Sequence, residues 1–329
     1  MIFIASKESG AVVFLEKHSR FFRKFEIGFN PRHRDAPRLP LWEDPAKQFS
    51  VYDAIKRQID AEKALEVQAN GDIVELMDVE YRPAQKALVV LIHRASPNAA
   101  DPSYRKKART AAGKKVQLRH AEKGDDEEQS VSAHLVIADL TLKSGARPAA
   151  LEEIPGISMA CVRRLVAVAM GEYTYPFNRG KKQIETSSSF SPQGVKSETM
   201  TNALKKGHLG FVTLSRPGKP DFVDAAGLFK PEREVLRLRV KGEVDQSNWK
   251  KIFSDLVTNA KEKGWDDFKV DINLDDNRSR TVKIDREDEA SEILFVRSEQ
   301  ASFKTALRSC SDSVVDEVIE KALTIAKSN

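Results

Sequence analysis

Eight lysines and arginines crowd the 24 residues from Asp101 to Gly124: Arg105, Lys106, Lys107, Arg109, Lys114, Lys115, Arg119 and Lys123. Asp101 and Glu122 alone oppose them, leaving a local charge of +6. That density suits an arm that follows a nucleic-acid backbone, where each cation facing a phosphate releases a condensed counterion. Further cations come in short groups: Arg179, Lys181 and Lys182, then Lys205 and Lys206 beside His208. Arg237, Arg239 and Lys241 alternate with Leu236, Leu238 and Val240, so they share one face of a strand. Such groups position a protein on phosphates without reading base sequence. The plainer reading is solvation. In that reading the acid run Asp125–Glu128 folds back on the arm, and Asp271 or Asp285 pairs with the strand arginines.

Aromatic residues sit among a second basic stretch. Residues 16–38 carry seven Lys/Arg against three acids, with Phe21, Phe22 and Phe25 between Arg20, Arg23 and Lys24. These rings would stack on bases or, at their i, i+1 and i+4 spacing, form the buried face of a short helix. Core packing is the favoured reading.

Acids, histidines and cysteines are the residues that could carry catalysis. Glu75, Asp78 and Glu80 with Lys86, Asp221 with Glu232, Glu234 and Lys241, and Asp271 with Asp275 and Asp276 are the carboxylate groups a metal-dependent nuclease would need. None has an acid-x-Lys element on a strand after an upstream acid, and solvated faces and turn caps account for them more simply. The six histidines, His18, His33, His93, His120, His134 and His208, are scattered. Neither a phosphate-binding loop nor a dinucleotide fingerprint, nucleophile elbow or His-Glu-x-x-His helix occurs. No metal, cofactor or catalytic residue is therefore assigned. Cys161 and Cys310 are too few for a disulfide framework or a cysteine-built zinc site. Cys161 lies near Arg163 and Arg164, but in the apolar phase of a helix, as a structural thiol would.

Leu151-Glu152-Glu153-Ile154-Pro155-Gly156-Ile157-Ser158 resembles the turn of a helix-hairpin-helix motif, in which backbone N–H groups meet a DNA phosphate. Ser158 stands where that motif has a second glycine, which favours an ordinary helix connection.

The elements that must position these groups follow from periodicity. The chain has 329 residues, 40% apolar and 31% charged, with a net charge of +5, so it can bury a core and suits two domains. No apolar run reaches the roughly 18 residues of a membrane span, and the start does not resemble a signal peptide. The expectation is a soluble, cytoplasmic protein. Ala11–Leu15 reads as a strand, and Val51, Ile55 and Ile59 as one face of a helix. Residues 64–68, 73–77 and 87–92 read as strands, the last buried on both faces. Residues 131–137 form a further strand, and Leu151–Met170 reads as helix, turn, helix.

Residues 176–232, rich in Ser, Gly, Pro and Lys, read as a linker region between an N-terminal domain (1–175, carrying the basic arm at 101–124) and a C-terminal domain (233–329). The latter has the order β-α-β-β-β-α: strand 235–240, helix 249–263 stopped by Gly264, strands 268–274, 281–284 and 293–296, and an amphipathic helix over 314–326. The fold class expected is α+β, with mainly antiparallel sheets and helices on one face.

The C-terminal order resembles RexA, the cytoplasmic member of two-protein phage exclusion systems. The pieces that match are Val235–Val240, Trp249–Lys263, Phe268–Leu274, Thr281–Ile284 and Val314–Ala326, with a loose counterpart for the strand His134–Ile137. The resemblance is one of arrangement and carries over no site residue. It implies a DNA-binding homodimer that senses phage replication or recombination structures and signals to a small membrane effector. The basic arm has no counterpart there.

The leading functional expectation is thus a non-enzymatic nucleic-acid-binding sensor, DNA ahead of RNA, in an anti-phage or mobile-element system. A metal-dependent nuclease or nucleotide-processing enzyme is the runner-up. An adaptor for an acidic protein or membrane partner is third.

Overall fold

The computed structural model describes residues 15–43, 49–106, 118–195, 209–218, 233–239, 241, 249–265, 267–273, 279–283 and 296–328. It is an α+β protein with mainly antiparallel sheets. Its residues fall into two units. Unit 1 comprises residues 1–192 and 299–329, and unit 2 comprises residues 193–298.

Unit 1 is built on an eight-stranded sheet in the order β11-β1-β8-β7-β4-β3-β2, with β16 also paired to β1. The strands are β1 (Ser19–Pro31), β2 (Leu65–Val67), β3 (Ile73–Arg82), β4 (Ala87–Ser96), β7 (Gln129–Ala138), β8 (Arg147–Glu152), β11 (Ser188–Gly194) and β16 (Ser298–Ser302). Strand β4 is the centre. Ala87 through Ile92 are all 0% exposed, as the unbroken apolar run predicts for a strand covered on both faces.

Register shows what covers each face. Val89 pairs with Val136, and Val136 with Ala150. Together with Phe22 and Leu91 these form one core with the last helix, α4 (Asp316–Lys327), through Val318, Ile319, Ala322 and Leu323. Leu88, Val90 and Ile92 face the other way, in line with Val79 and Leu76 of β3. Helix α1 (Val51–Asp60) packs on β3 and on helix α2 (Met159–Glu172). It belongs to this second face, to which β3 turns its buried Val74, Leu76 and Val79, whereas Ile73, Glu75, Asp78, Glu80 and Arg82 face the first. Helices thus lie on both faces of the large sheet, whereas the sequence pattern suggested one. Period gives the apolar side of each element but not which side of the sheet the connecting chain reaches.

Helix α1 begins where Ser50 accepts from the Asp53 N–H at 3.2 Å. Helix α2 begins where Ser158 accepts from the Cys161 N–H at 3.4 Å. Both are side-chain N-caps.

Buried charge fastens α4 to the sheet. Arg20, Lys24, Glu152 and His134 are all buried. Arg20 Nε donates to Glu152 Oε1 at 3.0 Å, and His134 Nδ1 lies 2.9 Å from Glu152 Oε2. The Val315 N–H donates to His134 Nε2 at 3.2 Å, so Nε2 is the acceptor and the Nδ1 proton points at Glu152. At the far end of α4, Lys24 Nζ donates to the Ser328 carbonyl and, at 2.9 Å, to its hydroxyl. A cation at the helix C-terminus also suits the helix dipole. Both ends of one helix are therefore tied to sheet side chains.

Unit 2 holds a four-stranded antiparallel sheet, β13-β12-β14-β15, and helix α3 (Trp249–Glu262). Its strands are β12 (Leu209–Pro217), β13 (Arg233–Arg239), β14 (Asp267–Asn273) and β15 (Ser279–Lys283). Gly264, just past α3, has φ +79°, as its role as a helix stop requires.

Several expectations change. Residues 19–31 form a strand, not a helix, although Phe22 and Phe25 are buried as core packing requires. Leu151–Glu152 ends strand β8, so the segment before Pro155 is not helical. Residues 176–232, read as a linker, include the hairpin β9 (Tyr175–Arg179) and β10 (Lys182–Thr186), strand β11 and strand β12. The amphipathic C-terminal helix, assigned to a domain over 233–329, packs on unit 1 instead. The strand expected at 11–15 falls almost wholly outside the described residues, as does most of the one expected at 293–296.

Candidate nucleic-acid interface

The basic arm leaves unit 1 as a two-stranded ribbon, β5 (Ser103–Arg105) and β6 (Leu118–His120). Ser103 pairs with His120, Tyr104 with Arg119 and Arg105 with Leu118. All six residues are exposed, Tyr104 at 51% and Leu118 at 58%. The Arg119 guanidinium lies 4.6 Å from the centre of the Tyr104 ring. Ser103 Oγ and His120 Nδ1 close the ribbon at 2.7 Å.

Lys123 is used differently from its neighbours. Its ammonium donates to the Pro97 and Ala99 carbonyls, at 2.6 and 3.3 Å, and pins the base of the arm. Glu127 accepts from the Gly124 N–H at 2.8 Å, and among the described residues no ion pair joins Asp125–Glu128 to Arg105, Lys106 or Arg119. Arg105, Lys106 and Arg119 are exposed. Lys107, Arg109, Lys114 and Lys115 lie outside the described residues, as do Lys205 and Lys206.

The other expected residues fall on separate elements. Arg179, Lys181 and Lys182 sit at the tip of the β9–β10 hairpin, which turns through Gly180 at φ +63°. Lys181 and Lys182 are exposed, and Arg179 meets Asp35 at 3.8 Å across open surface. Arg237 and Arg239 lie exposed on β13. The Arg237 guanidinium is 4.0 Å from the centre of the Phe211 ring on β12.

Tyr104 and Phe211, the rings beneath two of these arginines, were missed in the sequence. A signal existed for each. Tyr104 directly precedes the basic run, and Phe211-Val212-Thr213-Leu214-Ser215 alternates with Phe211 on the polar side.

The turn that resembles a helix-hairpin-helix does not offer its backbone to a phosphate. Gly156 has the positive φ, +80°, that such a turn needs. But Arg94 Nη1 donates to the Pro155 carbonyl at 2.9 Å, and its guanidinium covers Gly156 so closely that a Cβ there would overlap it. Arg94 is held in turn by Asp72, with Nε donating at 2.9 Å. Burial pushes the Asp72 carboxyl up, but hydrogen bonds from Ser96, Arg94 and Asn70 outweigh it and hold it below the usual carboxylate range. Ser158, in place of the motif's glycine, is the cap of α2.

The acids of the nuclease reading are held apart or engaged. A bulge between Leu76 and Asp78 puts Glu75, Asp78 and Glu80 on one face of β3, strung along the strand. Glu80 pairs with Arg82 at 2.7 Å, and Asp78 accepts from the Val79 N–H at 2.8 Å. Burial pushes the Glu80 carboxyl up, Arg82 pulls it back, and Asp78 and Asp316 push it further up. Glu234 is bound to Arg216 at 2.6 Å. Among the described residues no three His, Cys, Asp or Glu side chains are placed to hold a metal ion. Asp221, Glu232, Asp275 and Asp276 lie outside them.

No helix among the described residues is long and apolar enough to cross a membrane. No family model matches the chain, and no curated protein or solved structure is similar to it. The element order behind the RexA resemblance is divided in the structure, since β13, α3, β14 and β15 belong to unit 2 and α4 to unit 1.

Proposed function

We propose that this protein binds nucleic acid, DNA ahead of RNA, through phosphate contacts made by its basic arm. The observation that carries this reading is the β5–β6 ribbon. It is fully exposed, stiffened by strand pairing, and presents Arg105, Lys106 and Arg119 beside an exposed tyrosine ring. A short antiparallel ribbon is a shape that a DNA groove admits. Cations on it meet phosphates, and an Arg–Tyr stack supplies a flat surface for a base or sugar. Of the acids next to it in sequence, Glu127 accepts from the Gly124 N–H, and among the described residues none forms an ion pair with Arg105, Lys106 or Arg119.

The test is binding of labelled duplex DNA, single-stranded DNA and RNA over a salt series, with a variant carrying Glu at Arg105, Lys106, Lys107, Arg109, Lys114 and Lys115. The expected result is salt-sensitive binding that the variant loses by at least about tenfold. Absence of binding to all three probes at low salt overturns the proposal, as does binding that the variant leaves intact. A parallel reaction with magnesium tests the nuclease reading directly, because cleavage of the probe would replace binding as the function.

A further inference from the structure

The sheet of unit 2 has two unlike faces. Val212 and Leu214 of β12 stand opposite Leu238 and Leu236 of β13, and opposite Val270 and Phe268 of β14. Val212, Leu214 and Phe268 are buried. Arg216 follows on the same face. It donates to the carbonyl of Lys263, just past α3, at 2.8 Å, and its guanidinium lies 4.5 Å from the Trp265 ring. The end of α3 therefore lies over the apolar face.

The opposite face carries Phe211, Thr213 and Ser215 of β12 beside Arg239, Arg237 and Val235 of β13. Val235 is 62% exposed, and Arg237 and Arg239 are exposed. Lys269 continues the row through Thr213, so register gives Arg237, Thr213 and Lys269 in line across three strands. An aromatic ring, a guanidinium plane stacked on it, a second arginine directly opposite that ring and a lysine two strands away thus share one surface.

We propose that this face, centred on the stacked Phe211 and Arg237, is a platform for the unpaired bases of a single-stranded nucleic acid. The inference rests on the nucleic-acid reading above and assigns it a substrate form and a second site. A stacked ring and guanidinium bind a base through the base's own face, and in a duplex those faces are already stacked. Guanidinium planes accept bases in the same way, and the remaining cations match the backbone phosphates. Every base has a π-face, so this surface tolerates sequence. The chemistry is common to DNA and RNA strands.

The test uses the full chain and three labelled probes: single-stranded DNA and RNA of about 16 nucleotides, and a duplex of the same length. Phe211→Ala removes the ring, Phe211→Leu keeps apolar bulk without a π-face, and Phe211→Tyr restores it. The expected result is a loss of about tenfold in affinity for single strands in the Ala and Leu variants. Duplex affinity should stay within about twofold, and the Tyr variant should recover the single-strand affinity. Comparison of the DNA and RNA probes tells which strand is preferred.

Single-strand binding unchanged in both the Ala and Leu variants overturns the platform and leaves the arm's role standing. Equal losses for single strand and duplex also overturn it, as does displacement of the strand by poly-glutamate of matching charge. Failure of the unaltered protein to bind any probe overturns both proposals together.

Discussion

Strands β4 and β13 both alternate or run apolar, and they meet opposite fates. In β4, Ala87–Ile92 is sealed on both sides, between the α4 core and the face that packs toward α1. In β13, Leu238 is partly covered while Val235 and the arginines stand in solvent. The first strand's side chains hold the sheet together. The second leaves most of its side chains exposed. The same division runs through the cations. Arg20 and Lys24 in unit 1 end on Glu152 and Ser328. Arg237 and Arg239 in unit 2 lie at the surface. Charge in a sequence therefore does not by itself tell a buried cation from an exposed one.

The largest test of this contrast is Glu152→Ala. It strands Arg20 and His134 in the interior, and breaking a buried pair from one side costs about 3–5 kcal/mol. Urea unfolding measures the loss, and a change under about 1 kcal/mol would show that the network is not fastening α4. Next is Leu91→Ala, which leaves a cavity between β4 and α4 and should cost about 2–5 kcal/mol.

A smaller effect is expected at high pH. Tyr81 donates to Asp139 at 2.8 Å and stacks on Trp42. Burial, then the Asp139 bond, pushes its phenol up to about 12. The folded state thus holds this proton longer than the unfolded chain. The stabilisation is complete below pH ~10 and drains away as pH rises toward 12. Burial raises the Tyr173 phenol as well, so ultraviolet titration should show late tyrosine steps, of which the one belonging to Tyr81 is absent in Tyr81→Phe. The smallest effect belongs to β13: Val235→Ala should change stability by no more than about 0.5 kcal/mol. A loss comparable to that of Leu91→Ala would mean that the open face is core, and would break the comparison.

Much of the fold was legible because period and burial agree. Ala87–Ile92 reads as a two-sided buried strand because nothing polar interrupts it, and Val51 with Ile55 reads as a helix face because both point inward. The exceptions share a cause. Arg20-Phe21-Phe22-Arg23-Lys24-Phe25 hides its strand period, because Arg20 and Lys24 are buried by partners more than a hundred residues away and look like surface residues in the sequence. Ala149-Ala150-Leu151-Glu152 favours a helix intrinsically, and the sheet overrides it. The partners of α4 were invisible because periodicity names a helix's apolar side and not the surface it meets. The candidate interface was half legible. The cations were visible in composition, whereas the rings beneath them depended on cross-strand register.

Unit 2 is inserted between β11 and β16, so α4 is made long after the strands it covers. On a ribosome, Phe22, Leu91 and Val136 emerge early and wait for Val318 and Ile319. At about 5–20 residues per second, that wait lasts for seconds. During it the nascent chain presents an apolar sheet face of the kind that chaperones recognise. The order of synthesis thus leaves an apolar face of the first unit uncovered until the last helix is made, while the second unit has time to form.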